Sequence, residues 1–112
     1  MIKNKENSPS YSWGDKCTGW HLLNNPSLSI IQEIMPPNTE EINHKHSKAQ
    51  QFFFILKGKA TFLIEEKKAE VLAGSGIHIP KETWHQIKNL TKEEIEFLVI
   101  SEPHSHGDRL TD

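Results

Sequence analysis

The sequence predicts an all-β protein built as a sandwich or barrel of short strands. Segments rich in apolar, β-branched and aromatic residues recur roughly every 8 to 12 residues, between turns marked by Gly, Pro and Asn. No segment of useful length has a helical period. The chain has 112 residues, which is the length of a single domain.

Taken in order, residues 1–10 are mostly polar and cannot bury themselves, so they are predicted to be a flexible N-terminal segment. Trp20-His21-Leu22-Leu23 predicts an early strand. Leu28 to Ile34 predicts a second strand, which ends at Pro36-Pro37 because proline cannot continue a sheet. Further strands are predicted near residues 41–46, 51–57, 59–65, 68–72, 76–79, 84–89 and 94–100.

Two of the connections are predicted to be hairpin turns. They are Leu56 to Lys59, which uses Gly58 for a positive φ, and Glu65 to Lys68. The β domain is predicted to span residues 11–103. Residues 104–112, which include the pair His104 and His106, have no strand pattern and are predicted to be a solvated tail.

The most informative motif is His44-Lys45-His46. Residues two apart on a strand project from the same face, so the two imidazoles point toward one place. Gln51 precedes the apolar run of the next strand, and His85 follows the turn that begins at Pro80. Three imidazoles and one amide from separate strands could therefore enclose a single metal ion.

These residues and their spacing resemble the cupin family. The first cupin motif is matched by His44-x-His46, four residues, Gln51, six residues and Gly58. The second is matched by Gly74, five residues, Pro80-x-Glu82, two residues, His85, three residues and Asn89. Two positions depart from the family pattern: most cupins carry a glutamate ligand at position 51 and a glycine at position 82.

The resemblance implies a single antiparallel β-barrel of jelly-roll type, the double-stranded β-helix of the cupins. It also implies one divalent metal ion per chain, held by His44, His46, Gln51 and His85. Glutamine at this ligand position is similar to the cupins that linearise unsaturated uronates and to certain polyketide cyclases. Imidazole suits Zn, Ni, Fe and Cu, and Mn is compatible with oxygen donors, so the ligands do not select one metal.

The predicted ligands also indicate the chemistry. Three neutral imidazoles and a neutral amide leave a divalent ion its full charge, which makes it a stronger Lewis acid. Such an ion attracts an anionic or enolisable oxygen, so we expect a small-molecule substrate of that kind.

Strand alternation predicts what surrounds the ion. Phe53 and Ile55 share the face of Gln51, and Ile87 shares the face of His85, which predicts a mostly apolar substrate pocket. No catalytic residue can be selected from the sequence. The glutamates near the motifs are Glu40, Glu41 and Glu82, and nothing in the pattern places any of them over the pocket.

Composition limits the partners. The net charge of −2 and the absence of a Lys and Arg block argue against nucleic acid. The sequence contains no run of about 18 apolar residues that would predict a membrane span, and no signal peptide is visible. We therefore expect a cytoplasmic protein. The single cysteine, Cys17, agrees with a reducing compartment. An apolar fraction of 35% in so small a domain predicts a homodimer, which many cupins form.

Three function classes remain open at this point. The first is a metal-dependent enzyme that isomerises, opens or cyclises a small sugar acid or carbonyl compound without redox chemistry. The second is an Fe- or Mn-dependent dioxygenase, a reaction that cupins also support. The third is a non-catalytic binding or sensor module.

Overall fold

The computed structural model describes residues 1–111, which form twelve β-strands. In chain order the strands are β1 (Ser10–Trp13), β2 (Cys17–Asn25), β3 (Leu28–Met35), β4 (Thr39–Glu40), β5 (His44–His46), β6 (Gln50–Lys57), β7 (Lys59–Ile64), β8 (Lys67–Leu72), β9 (Gly76–Ile79), β10 (His85–Asn89), β11 (Ile95–Glu102) and β12 (Arg109–Thr111). No helix able to cross a membrane occurs within these 111 residues.

The strands form two antiparallel sheets that face each other. The first sheet has the order β1-β2-β3-β11-β6-β9. The second has the order β12-β5-β10-β7-β8, and β4 also pairs with β10. Within residues 1–111 the chain passes between the sheets seven times, as in a jelly roll: at β3–β4, β5–β6, β6–β7, β8–β9, β9–β10, β10–β11 and β11–β12. The predicted all-β jelly-roll architecture is confirmed.

The core lies between the two sheets. Alternate residues of each strand point inward, so Ile55 and Phe97 of the first sheet and Phe62 and Ile87 of the second are completely buried. Burial of each such side chain contributes about 1.5 to 3 kcal/mol. Toward the other end of β6 and β10 the inward positions change from apolar to polar residues, and the candidate site lies there.

Gly58 carries the chain from one sheet to the other. We predicted a hairpin here, and that prediction is wrong, because β6 pairs with β11 and β9 whereas β7 pairs with β10 and β8. The predicted need for glycine holds, since its φ is +85°. A Cβ at this position would lie 2.7 Å from Cγ2 of the buried Ile95. The predicted hairpin at Glu65 is confirmed, because β7 and β8 pair on either side of it.

The segment after β11 differs from the predicted solvated tail. Arg109 to Thr111 form β12, which pairs with β5 so that Arg109 lies opposite His46. Before it, the Asp108 carboxylate accepts hydrogen bonds from the backbone N–H groups of residues 47–49 at 2.9 to 3.2 Å. These tertiary contacts order a segment that has no local strand pattern. Asp112 lies outside the described residues.

The outward face of the first sheet is largely apolar at its centre. Cross-strand register places Ile100 between Ile30 and Phe52, and Leu98 beside Phe54. Phe52 is 38% exposed and the other four are partly exposed. We refer to these five residues as the outer patch.

Candidate metal centre

Three histidines of the second sheet meet at its inner face. His44 and His46 lie on β5, and His85 on β10 stands directly opposite His44 in the strand register. One ring nitrogen from each lies within 4.8 Å of those of the other two. All three side chains are buried, at 1 to 5% exposure. The predicted convergence of these residues is therefore present in the fold.

The backbone orients each imidazole. Nδ1 lies 2.8 Å from the carbonyl oxygen of Ile42 for His44, 3.1 Å from that of Asp108 for His46, and 2.9 Å from that of Thr83 for His85. A carbonyl can only accept, so these contacts favour a proton on each Nδ1, and at His44 the 2.8 Å contact with Ile42 is shorter than the 3.3 Å approach of the Arg109 guanidinium to the same nitrogen. Each Nε2 then presents a lone pair, which is how metal-binding histidines are oriented by their other nitrogen.

Gln51 approaches from the opposite sheet, on β6. Its Oε1 lies 3.0 Å from Nε2 of His85, and its Nε2 donates a hydrogen bond to Oγ of Ser101 at 3.0 Å. In this arrangement the lone pair of Nε2 of His85 faces a lone pair of Oε1 of Gln51. A cation between them would relieve the repulsion, and about 3.0 Å is the spacing of two ligands that each lie about 2.1 Å from one ion at a right angle.

An unpartnered nitrogen of His46 also indicates a cation at this position. Nε2 of His46 is buried and has no hydrogen-bond partner within residues 1–111. Buried polar atoms without a partner are rare and call for an explanation such as an ion. The residues present therefore fit a metal ion, with His44, His46, His85 and Gln51 clustered as a possible site.

Burial keeps the imidazoles neutral. Desolvation, with smaller contributions from the nearby His85 and Arg109, lowers the pKa of His44 to about 3. Burial likewise lowers the pKa of His85 to about 4, and it lowers the pKa of His46. Neutral imidazole is the form that binds metals.

A cavity of about 670 Å³ opens from this cluster between the sheets. That volume is within the range of small-molecule sites. Of the residues predicted to surround the substrate, Phe53 lines the cavity. Ile55 and Ile87 do not; both are completely buried in the core farther along their strands.

The cavity wall is more polar than strand alternation predicted. Glu33 on β3 and Glu41, which precedes β5, both line it, together with Tyr11 and Arg109. Burial raises the pKa of Glu33 to about 7 and that of Glu41 to about 8, where the charge of Glu33 adds to the effect. Arg109 offsets part of both shifts and lies 4.0 Å from Oε2 of Glu41.

The sequence analysis did not identify Glu33 as a cavity residue, although its position in the strand pattern could have indicated it. It occupies an inward position between the inward residues Ile31 and Met35, and a charged residue at such a position is unusual. Of the glutamates near the motifs, only Glu41 reaches the cavity. Glu40 pairs with Lys88 at 3.3 Å, and Glu82 is exposed.

The tail histidines lie at the cavity as well. The rings of His104 and His106 are stacked with centroids 6.4 Å apart, and both residues line the cavity. Their position follows from the return of the chain toward β12, which the sequence pattern did not predict.

Comparison with known proteins gives a family and several similar folds. A family model described as a cupin domain matches residues 31–101, more than half of the chain. An uncharacterized protein of Methanocaldococcus jannaschii is 32% identical over 81 residues, which cover 71% of this chain and 65% of that protein. Auxin-binding protein 1 of Arabidopsis thaliana is 34% identical over 82 residues, which cover 65% of this chain and 41% of that protein. The chain thus spans less than two thirds of either relative.

Solved structures resemble the fold over nearly its whole length. KdgF from Halomonas sp. aligns with a TM-score of 0.85 at 13% identity, covering 96% of this chain and 98% of that one. A sugar phosphate isomerase from Silicibacter pomeroyi aligns at 0.79 and 14% identity, covering 93% and 76%. The polyketide cyclase RemF from Streptomyces resistomycificus aligns at 0.77 and 17% identity, covering 93% and 81%. At these identities the likeness concerns the fold alone.

Proposed function

The chain belongs to the cupin family, and on that premise we propose that it is a small metalloenzyme of non-redox chemistry. One divalent ion would be held by the Nε2 atoms of His44, His46 and His85 and by Oε1 of Gln51. The substrate would be a small sugar acid or carbonyl compound that is isomerised, opened or cyclised.

One observation carries the proposal. Every histidine of the cluster has its Nδ1 proton committed to a backbone carbonyl, at 2.8 to 3.1 Å, so three lone pairs converge on one point. The unpartnered Nε2 of His46 supports the same reading.

The glutamine ligand favours Lewis-acid chemistry. When bound, the ion would polarise a carbonyl or carboxylate oxygen of the substrate, and a neutral ligand set leaves its charge undiminished. The histidines and Gln51 would hold that ion, so the reacting end of the substrate would lie beside them. Phe53 and the neighbouring apolar wall would limit access of water to that end.

The similar folds agree with this choice without deciding it. Among them are proteins described as a sugar phosphate isomerase and as a polyketide cyclase, and neither description names an oxidation. The dioxygenase and the binding module are the alternatives that the experiments below separate.

Metal analysis tests the site. Protein purified without a histidine tag is expected to contain one divalent metal per chain by elemental analysis, and His44→Ala/His46→Ala is expected to contain none. The control is His78→Ala, which removes an exposed imidazole from β9 and should leave the metal content unchanged. Unchanged metal in the double variant would overturn the ligand assignment.

Substrate assays test the reaction. Metal-loaded protein is incubated with unsaturated uronates and hydroxy-ketones, and products are followed by NMR while dissolved O₂ is recorded. We expect product without O₂ uptake. Product that requires O₂ would support the dioxygenase, and tight binding without turnover would support the binding module.

A further inference from the structure

The cavity contains a second polar group at a distance from the histidines, the pair Tyr11 and Glu33. Oη of Tyr11 on β1 donates a hydrogen bond to Oε2 of Glu33 on β3 at 2.8 Å. Both side chains line the cavity that also contains His44, His46 and Gln51. A ligand in this cavity therefore has two different polar ends to satisfy.

The strand register gives the separation. Gln51 stands opposite Ser101 of β11, and Ser101 stands opposite Ser29 of β3. Glu33 lies four residues beyond Ser29 on the same strand, which places its Cα about 13 Å farther along the strands than that of Gln51, at about 3.3 Å per residue. A two-carbon acid has one carbon–carbon bond and a six-carbon acid has five, so of two acids anchored at the histidines the six-carbon acid extends much farther toward Glu33.

The two carboxyl oxygens of Glu33 have different surroundings. Oε2 accepts from Tyr11. Among residues 1–111 Oε1 has no hydrogen-bond partner, yet it is not one of the enclosed unpartnered atoms, so it opens onto the cavity. The phenol thus fixes the carboxyl and leaves one oxygen available to a ligand.

The charge state of this carboxyl suits a hydroxyl group. The groups that face it are Tyr11, the guanidinium of Arg109 and the carboxyl of Glu41. The ring of His21 on β2 lies 4.8 Å from the Tyr11 ring, tilted by 33°. Burial raises the pKa of Glu33 to about 7, so a large share of the carboxyl is protonated at neutral pH. A protonated carboxyl both donates and accepts, as a hydroxyl does, and does not repel an anionic ligand.

We propose that the Tyr11–Glu33 pair is a second binding subsite, which recognises hydroxyl groups of a polyhydroxylated acid whose carboxylate or carbonyl end lies at His44, His46 and Gln51. This inference rests on the proposed function and narrows its substrate class. Short acids would occupy only the histidine end. A hydroxylated chain would occupy both ends and bind more tightly.

Calorimetry with two acids tests the subsite. Zn²⁺-loaded protein is titrated with glycolate, which has two carbons, and with D-gluconate, which has six and extends farther toward Glu33. We expect Glu33→Leu to lose about fivefold in gluconate affinity, the value of one hydrogen bond, while glycolate affinity stays within about twofold. Glu33→Gln, which still donates and accepts, should retain most of the gluconate affinity. Glu70→Gln, an exposed carboxylate of β8, is the control for the change in charge.

Tyr11→Phe provides a second variant in case Glu33→Leu does not fold. It should weaken gluconate binding about twofold and leave glycolate binding unchanged, because the carboxyl loses its fixed orientation. Equal losses for both acids, or no loss for gluconate, would overturn the subsite while leaving the metal centre intact. Failure of wild-type protein to bind either acid would overturn the proposed function, and the subsite with it.

Discussion

Gln51 uses the two ends of its amide for different purposes. The oxygen faces His85, and the nitrogen donates to the buried hydroxyl of Ser101. An amide can be turned over without changing its shape, so a fixed partner is needed to determine which end faces the histidines. The hydroxyl of Ser101, at 1% exposure, can donate or accept and so holds either orientation, whereas a bound cation would select the one with the oxygen toward the histidines.

Replacing Gln51 by Glu tests why the chain carries glutamine. Gln51→Glu should hold the metal at least as tightly, because a carboxylate is a stronger ligand for a cation. It should bind anions such as glycolate several-fold more weakly, a loss of at least roughly 1 kcal/mol, because one unit of positive charge is cancelled. Calorimetry on both proteins measures this, with Gln50→Glu on the exposed face as the control. Equal anion affinity in the two proteins would contradict the explanation.

Glu33 gives the protein a dependence of stability on pH with a definite sign. Its pKa is about 7 in the fold and about 4.5 when unfolded, so between these values the folded state holds a proton that the unfolded state releases. The free energy of unfolding therefore falls as the pH rises from about 4.5 to 7, by on the order of 2 kcal/mol from this group.

Urea unfolding of wild type and Glu33→Gln at several pH values isolates the effect. The stability of the wild type relative to the variant should decline between pH 4.5 and 7, because contributions from groups that Glu33 does not influence cancel in the difference. Glu41, whose pKa of about 8 depends partly on Glu33, titrates mainly above this range. Parallel curves would show that Glu33 has an ordinary pKa. Glu70→Gln should run parallel to the wild type.

At the scale of elements, substitution of Gly58 and of Gly74 separates the effect of backbone conformation from the effect of steric space at the Cβ position. Both have a φ near +85°, but only Gly58 has a neighbour where a Cβ would be. Gly74→Ala should cost about 1 kcal/mol, from the backbone conformation alone. Gly58→Ala should cost roughly 2 to 4 kcal/mol, because its methyl group also collides with Ile95 in the core. Thermal or urea unfolding compares them, and equal costs would mean that the crossing between the sheets tolerates the extra atom.

The elements also show how far sequence patterns reach. Strands such as β3, β6 and β11 were predicted close to their bounds because alternation is a local property. The sheet to which a strand belongs is not local, which is why the connection at Gly58 was mistaken for a hairpin. The strand β12 was missed because it depends on contacts of Asp108 with a loop about 60 residues away.

The candidate site also has a part that the sequence predicted and a part that it did not. The spacing of His44, His46, Gln51 and His85 predicted that they cluster, and they do. The polar far end of the cavity was not predicted, because Glu33 and Arg109 meet only through the packing of one sheet on the other. The pocket residues Ile55 and Ile87 were inferred from parity alone, which gives the face of a strand but not the position along the barrel.

At the scale of the whole molecule, we expect a homodimer joined through the outer patch. Four strands of eight or nine residues and two of four residues, about 4.8 Å apart, give the whole sheet a face on the order of 600 Å², with the outer patch at its centre. That area is close to the roughly 800 Å² per partner of a stable interface. Glu96 at its edge is already paired with Lys5 at 2.9 Å, so the apolar residues of the outer patch would form the contact between two copies related by a two-fold axis.

Sedimentation of wild type and Leu98→Lys tests the dimer. The wild type should sediment at about twice 12.9 kDa at micromolar concentration, and the variant near the monomer mass, because a buried lysine opposes association. Leu72→Lys is the control, since it alters an exposed leucine of the second sheet. A monomeric wild type would contradict the interface. Cytoplasmic location and the lack of a nucleic-acid partner also stay predictions.

The pairing of β12 with β5 has a consequence for the order of events during synthesis. His44 and His46 leave the ribosome early, but the carbonyl that orients His46 belongs to Asp108, 62 residues later. The nascent chain therefore exposes His44 and His46 long before it can orient both of them. If the proposed metal site is correct, selective uptake of an ion has to wait until Asp108 has been synthesised and packed beside His46, and an ion captured earlier would meet a looser and less discriminating set of ligands.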